Sequence, residues 1–254
     1  MAALDSAIDA ILIGHDIATA GVGLIEGGAL VWAGYYGDQS PGRQASSATQ
    51  FDIGSITKVV STETVLRLAQ DGRLDLDEPM GSDWVDPDLE QDPRALQLTP
   101  RIVLTHTTGF PSRRNRTDDG RLQFLADPGT TFGYSGEGFE YLMRFVEAKL
   151  STPFPQLVEA RVLKPMGITD ASFAYSEENF ENLALSVDEE TGAFRTDWGY
   201  HCSVITNSCL DESYHSTSRD MTMTVESLAT FAISVANADG YSEAIAEDRN
   251  TVQS

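Results

Sequence analysis

The sequence predicts an α+β fold: an antiparallel sheet flanked by helices, with a mainly helical subdomain and a sheet short of strands. Three observations carry this. Gly21 to Glu26 and Ala29 to Tyr36 are strand-like runs separated by Gly27-Gly28, the composition of a tight hairpin turn. Several later segments repeat apolar residues at helical spacing. A two-stranded hairpin is marginal alone and needs further strands or a covering helix, yet no other run reads clearly as strand. The 254 residues suit one domain, in which 1–54 and the C-terminal part supply the sheet and about 55–175 the helical subdomain.

The elements follow in order. Leu4, Ile8, Ile11 and Leu12 recur at helical spacing and predict a short amphipathic opening helix before the hairpin. Ser55 to Gln70 is apolar nearly all round and reads as a buried central helix, with Gly72 where a C-cap glycine belongs. Asp75 to Gln97 is acidic, contains prolines and lacks a period, which predicts a surface excursion. Thr99-Pro100 is an N-cap and first-turn signature for a short helix ending near His106. After the polar stretch Arg113 to Gly120, a turn at Pro128-Gly129 leads to Tyr134 and a helix carrying Phe139, Leu142, Phe145, Val146 and Leu150. Another helix holds Leu157, Val158, Val162 and Leu163, and Pro165 and Gly167 stop it. Tyr175 to Asp220 is weakly patterned and polar, mostly loop, and Leu228, Phe231, Ala232 and Val235 mark a last amphipathic helix before an acidic, ambiguous tail. No internal repeat is evident.

Charge and composition exclude whole classes of function. Against 17 basic residues stand 39 acidic ones, a net charge of −22 that repels phosphate backbones, so nucleic acid is not an expected partner. Only Lys58, Lys149 and Lys164 are lysines, and an acid-rich, lysine-poor surface is expected to stay soluble in concentrated salt. No apolar run approaches the roughly 20 residues that span a bilayer. The start, Met1-Ala2-Ala3-Leu4-Asp5, lacks a basic stretch followed by an apolar one, so the expectation is a cytoplasmic chain or one shown without its leader. His15, His106, His201 and His215 are scattered without metal-ligand spacing, and no metal is expected. Cys202 and Cys209 could close a small loop or remain two free thiols.

Chemistry concentrates in three segments. In Ser55-Ile56-Thr57-Lys58, at the start of the central helix, serine and lysine lie on one helical face. A hydroxyl is a weak nucleophile until a neighbouring base takes its proton, and a lysine in a desolvated cleft can serve, while the helix N-terminus suits an oxyanion. The spacing alone also occurs by chance on surface helices, although burying an ammonium without purpose is costly. Pro128-Gly129-Thr130-Thr131-Phe132-Gly133-Tyr134-Ser135-Gly136 can deliver the Tyr134 phenol into a cleft, or simply pack a tyrosine at a helix entrance. In Leu104-Thr105-His106-Thr107-Thr108-Gly109-Phe110-Pro111 the histidine reads as a structural hydrogen-bonding residue rather than a catalyst. Arg113, Arg114 and Arg116 form either a solvated charge run or a guide for a carboxylate-bearing substrate.

Taken in order, FDIGSITK, QDGRLDLDEPM, LTHTTGFP, PGTTFGYSGEGFEYL and VLKPMGITDASF resemble the serine β-lactamase and penicillin-binding-protein superfamily, closest to its class C-like branch with the family VIII carboxylesterases. The resemblance implies a β-lactamase-like fold and a serine hydrolase that forms a covalent acyl-enzyme on small esters or amides without a cofactor. It implies Ser55 as nucleophile, Lys58 sharing or relaying its proton, and Tyr134 as general base or acid. It also places Ser135 and Gly136 at the substrate.

Two departures from the family pattern stand out. The family's usual Tyr-x-Asn is here Tyr134-Ser135-Gly136, which removes an amide donor useful for β-lactam side chains. The family's Lys/His-x-Gly triplet is not found after Tyr134, since His201-Cys202-Ser203 and His215-Ser216-Thr217 lack the glycine. His215-Ser216-Thr217-Ser218-Arg219-Asp220 through Phe231 resembles the family's STxxD helix entry, which precedes the last strands. The expectation is therefore a truncated product, a sheet completed by another chain through oligomerisation or strand exchange, or a catalytically impaired homologue acting as a binding or regulatory protein.

Overall fold

The computed structural model describes residues 2–173, 180–188, 190–196 and 216–251. In chain order its elements are α1 (Ala2–Gly14), β1 (Thr19–Glu26), β2 (Ala29–Ser40), β3 (Arg43–Gln44), β4 (Phe51–Asp52), α2 (Thr57–Gln70), α3 (Pro100–Leu104), α4 (Gly136–Leu150), α5 (Phe154–Val158), β5 (Ser172–Phe173), β6 (Met221–Met223), α6 (Val225–Asn237) and α7 (Glu243–Asn250). They form two compact units, one of residues 1–54 and 166–239, the other of 55–165 and 240–254. No described helix is long and apolar enough to cross a membrane.

The first unit contains the strands. β1 and β2 pair antiparallel from Thr19↔Gly37 to Glu26↔Ala29, and the two glycines between them take positive φ, 58° and 80°. That is the geometry a two-residue hairpin turn requires. Gly21 serves packing instead. A Cβ there would lie 2.4 Å from Val225 and 2.7 Å from Phe51, so the missing side chain lets α6 approach the hairpin closely. The second sheet has the order β4-β6-β5, with Phe51↔Met223 and Phe173↔Met221 in register. Its central strand is fully buried, and Thr222 donates to the side-chain oxygen of Gln50 at 2.9 Å. Both sheets are antiparallel, small and unclosed, as an α+β chain short of strands predicts.

The strands β3 to β6 are a correction to the single hairpin read from the sequence. Each is two or three residues long, too short for alternation to mark it; β3 folds back on the end of β2, and β4, β5 and β6 pair over long sequence separations. α1 forms where its spacing predicts, but of its apolar residues Leu12 is buried while Leu4 and Ile11 are exposed, so it does not present one sealed apolar face.

The second unit is helical. α2 packs on α5 and its π-helical continuation Glu159–Leu163, while α4 packs on α3 and α5. Val60, Val65, Leu66 and Leu68 join Phe139, Leu142, Phe145, Val146, Phe154 and Val158 as the unit's buried apolar residues. α2 is not apolar all round: Ile56 before it and Val59 within it are exposed at 42% and 40%, whereas Thr57, Ser61, Glu63 and Thr64 are buried. Thr64 satisfies its hydroxyl on the Val60 carbonyl at 2.9 Å, which makes burial tolerable. Gly72 caps the helix with φ 66°.

Residues 75–97 are more than a surface excursion. Asp86 and Asp92 each precede a proline and accept from the backbone N–H two residues on, starting 3-10 turns at Pro87–Leu89 and Pro93–Gln97. Met80, Leu89, Ala95 and Leu98 anchor the segment in the core. Arg114 is engaged within the unit, with Asp86 and Glu137 at 2.8 Å and Asp88 at 3.4 Å, so it belongs to the architecture rather than to a free guiding patch. The ambiguous tail forms α7. It buries no side chain fully and is held by polar ties instead: Arg249 to Glu63 at 3.0 Å, Arg101 to Asp248 at 2.9 Å, and the Tyr241 hydroxyl to Glu63 at 2.7 Å.

Candidate active site

Ser55 lies on the 3-10 turn Gly54–Ile56 that leads into α2, one step before the regular helix, which the apolar pattern starts at Ser55 itself. The serine is exposed and Lys58 is buried. The Lys58 Nζ donates to Ser55 Oγ across 3.4 Å, a long hydrogen bond. The same ammonium stands 4.9 Å from the centre of the Tyr134 ring and 5.8 Å from that of Phe139. Electron-rich ring faces stabilise a cation in surroundings poor in water.

Tyr134 arrives on the strap between α3 and α4. Ser135, not Tyr134, caps α4: its hydroxyl accepts from the Gly138 N–H at 3.1 Å and donates to the Pro111 carbonyl at 2.7 Å. The phenol is thereby left just outside the helix, 48% exposed. Burial pushes its pKa up, but hydrogen bonds with Ser55 and Lys58 and the lysine charge outweigh that, and the phenol is held below the usual tyrosine value. The structure thus brings Ser55, Lys58 and Tyr134 into one group.

The other two candidates from the motif sit beside this group with their polar atoms engaged elsewhere. Ser135 is 1% exposed and both hydrogen-bonding capacities of its hydroxyl face the protein. The Gly136 N–H donates to the Ser112 carbonyl at 3.0 Å, so this residue offers neither side chain nor amide hydrogen outward.

His106 is the neighbour whose part the LTHTTGFP motif understates. It follows α3 with φ 57°, its ring lies 4.5 Å from that of Tyr134, and its Nδ1 accepts from the Ser135 N–H at 3.2 Å. Burial, and then the Lys58 charge, hold the imidazole below its usual range. A histidine directly after a short helix, where glycine is usual, is the available sequence signal. Among the described residues no cluster of three or more His, Cys, Asp or Glu side chains could hold a metal ion. His201, Cys202, Cys209 and His215 lie outside the described residues, while Ser216 donates its N–H to Asp220 at 2.9 Å.

Comparison with known proteins agrees with this architecture. A class C beta lactamase from Rhodobacter sphaeroides superposes with TM-score 0.75 at 20% identity over 98% of this chain and 69% of its own. A D-alanine carboxypeptidase AmpC from Burkholderia cenocepacia gives TM-score 0.74 at 19% identity over 94% of this chain and 65% of its own. An octameric penicillin-binding protein homologue from Pyrococcus abyssi gives 0.74 at 19%, covering 98% and 60%. In sequence, Protein flp of Staphylococcus aureus is 24% identical over 168 residues, 60% of this chain and 34% of its own length. The D-alanyl-D-alanine-carboxypeptidase/endopeptidase AmpH of Escherichia coli is 24% identical over 173 residues, 59% and 44%. The chain therefore spans between a third and a half of the curated relatives it matches. The pattern of the Beta-lactamase family extends over residues 4–253, nearly the entire length, and the chain belongs to that family.

Proposed function

We propose that the chain is a serine hydrolase acting on small esters or amides through a covalent acyl-enzyme, with Ser55 as nucleophile. The observation that carries this reading is the contact of Lys58 Nζ with Ser55 Oγ at 3.4 Å beneath the Tyr134 ring. In the proposed reaction Ser55 Oγ attacks the carbonyl carbon while its proton passes to the Tyr134–Lys58 pair. Collapse of the tetrahedral intermediate expels the alcohol or amine, which takes that proton, and water then hydrolyses the Ser55 ester by the reverse transfer. The lowered pKa of Tyr134 supports its role as base, because the phenolate is more accessible. Lys58 holds that negative charge and relays the proton. The Ser55 N–H at the helix start supplies one oxyanion donor.

No organic cofactor or metal enters this scheme. Gly136 in place of an asparagine leaves a substrate amide without a donor at that place, which favours simple esters over β-lactams. The edge of β1, which faces no partner strand among the described residues, would pair with a second copy. The octameric Pyrococcus homologue supports such an assembly, and light scattering that finds a clean monomer would rule it out.

Incubation with a fluorophosphonate, followed by intact mass, tests the reading directly. Ser55 is expected to gain the phosphonyl group as fluoride leaves, S55A to gain nothing, and p-nitrophenyl butyrate to be turned over in the same samples. A folded wild-type protein that takes no label would leave a homologue that binds rather than catalyses.

A further inference from the structure

His106 occupies a strained position for a reason visible around it. Left-handed backbone suits glycine and, among residues with side chains, asparagine or aspartate, and in other residues it persists only where the surroundings enforce it. Three contacts enforce φ 57° here. The His106 carbonyl accepts from the Gly133 N–H at 2.8 Å, its Nδ1 accepts from the Ser135 N–H at 3.2 Å, and its ring lies 4.5 Å from the Tyr134 ring with the planes inclined by 34°. The two hydrogen bonds therefore grip the residues on either side of the phenol. Phe139 at 5.4 Å and Phe132 at 6.0 Å close the ring's aromatic surroundings. The titratable groups that face it are Lys58 and Tyr134.

We propose that His106 is the positioning residue for Tyr134, gripping residues 133–135 as a neutral imidazole, so that protonation of Nδ1 in acid releases the phenol from Ser55 and Lys58. This rests on the reading of those three residues as the acyl-transfer group. The direction follows from the atoms. Nδ1 accepts from Ser135 only while it carries no proton, which puts the imidazole hydrogen on Nε2. Acid turns Nδ1 into a donor facing a donor and sets a second cation beside the Lys58 ammonium. Since burial and Lys58 hold the imidazole below its usual range, the grip is intact at neutral pH and is lost only at a pH lower than the ordinary histidine value of about 6.5.

Two measurements on the full chain decide this. In imidazole nitrogen NMR, assigned with H106N, His106 is expected to show an unprotonated Nδ1 at neutral pH, and the Ser135 amide resonance is expected to titrate with it. A hydrogen on Nδ1 at neutral pH, or a Ser135 amide indifferent to the titration, overturns the proposal, and neither result depends on catalysis. In fluorophosphonate labelling, H106A is expected to react with Ser55 on the order of 10- to 100-fold more slowly, the effect of misplacing a reacting group. H106N tolerates left-handed backbone and offers an amide oxygen near the place of Nδ1, so it should recover most of that rate and keep the gradual dependence on pH set by Tyr134 while lacking the additional acid step of the wild type. Folded H106A labelling at the wild-type rate, or H106N keeping the additional acid step beyond the Tyr134 dependence, overturns the proposal. Wild-type protein that takes no label would instead refute the acyl-transfer reading, and the NMR result would still decide the grip.

Discussion

α2 buries two ionisable side chains little more than one turn apart, Lys58 at 7% exposure and Glu63 at 1%, and their surroundings differ in kind. Lys58 meets a serine hydroxyl at 3.4 Å and the faces of two aromatic rings. Glu63 is closed in by the Tyr241 hydroxyl at 2.7 Å, Arg249 at 3.0 Å and Arg67 at 4.0 Å. Tyr241 responds as such an arrangement requires, pushed well above the ordinary tyrosine range by burial and by the Glu63 charge. Equal burial thus serves two ends. A charge closed off by opposite charges ties segments together, whereas one set against a hydroxyl and ring faces is the one the proposed acyl transfer uses.

Substitution separates the two ends. K58M should slow fluorophosphonate labelling of Ser55 by on the order of 10³-fold, the scale of a lost proton-transfer partner, while the urea unfolding free energy changes by about 1 kcal/mol or less. E63Q should do the reverse. It leaves the half-buried Arg67 and Arg249 facing a neutral amide in a buried position and should cost roughly 3 kcal/mol in urea unfolding, with labelling of the remaining folded protein within about threefold of wild type. If E63Q abolished labelling without loss of stability, the division of α2 into a reactive and a tying end would break.

Tyr134 sharpens the same comparison through pH. Its lowered pKa means that the base form gains population as pH rises through a value below 10, so labelling of wild type should climb with pH and level off before the range of an ordinary tyrosine. Y134F should lose on the order of 10²-fold and flatten this climb. Tyr241 has the opposite environment, so Y241F should lower stability and leave the pH profile of labelling unchanged. A Y134F protein that kept the climb would assign it to another group. His106 adds an acid counterpart to stability: with its folded value depressed, its contribution is complete above the unfolded value of about 6.5 and falls away below it.

What the sequence makes legible is what depends on near neighbours. Gly27-Gly28 between two strand-like runs marks the hairpin, Thr99-Pro100 marks the start of α3, and the Ser55-x-x-Lys58 spacing sets the two side chains on one face, where the structure finds them 3.4 Å apart. What escapes is what depends on distant ones. The pairing of Phe51 with Met223 joins two- and three-residue strands that carry no period of their own. α7 lacks an apolar stripe because its anchors are ions, and Glu63 cannot be assigned to Arg249 and Tyr241 from composition. Arg114 looks like part of a solvated run until Asp86 and Glu137 are placed around it. The grip of His106 on Tyr134 likewise spans a separation that no local pattern encodes.

The smallest expected effect tests whether the ties to α7 are all of one kind. Arg101 holds Asp248 at 2.9 Å and Asp77 at 2.7 Å, but the side chains of Arg101 and Asp248 remain 29% and 34% exposed, unlike that of Glu63. A pair this open contributes about 0.5 kcal/mol, and the screening length in roughly 1 M salt, about 3 Å, is short enough to remove most of it. D248N should therefore cost little at low salt and nothing measurable at high salt, while the E63Q cost persists in both. The net charge of −22 makes the comparison with wild type at each salt concentration necessary, because screening relieves self-repulsion in every variant alike. A D248N cost that did not change with salt would show that Arg101 orders α7 through hydrogen-bond geometry rather than charge, and the exposed tie would then resemble the buried one.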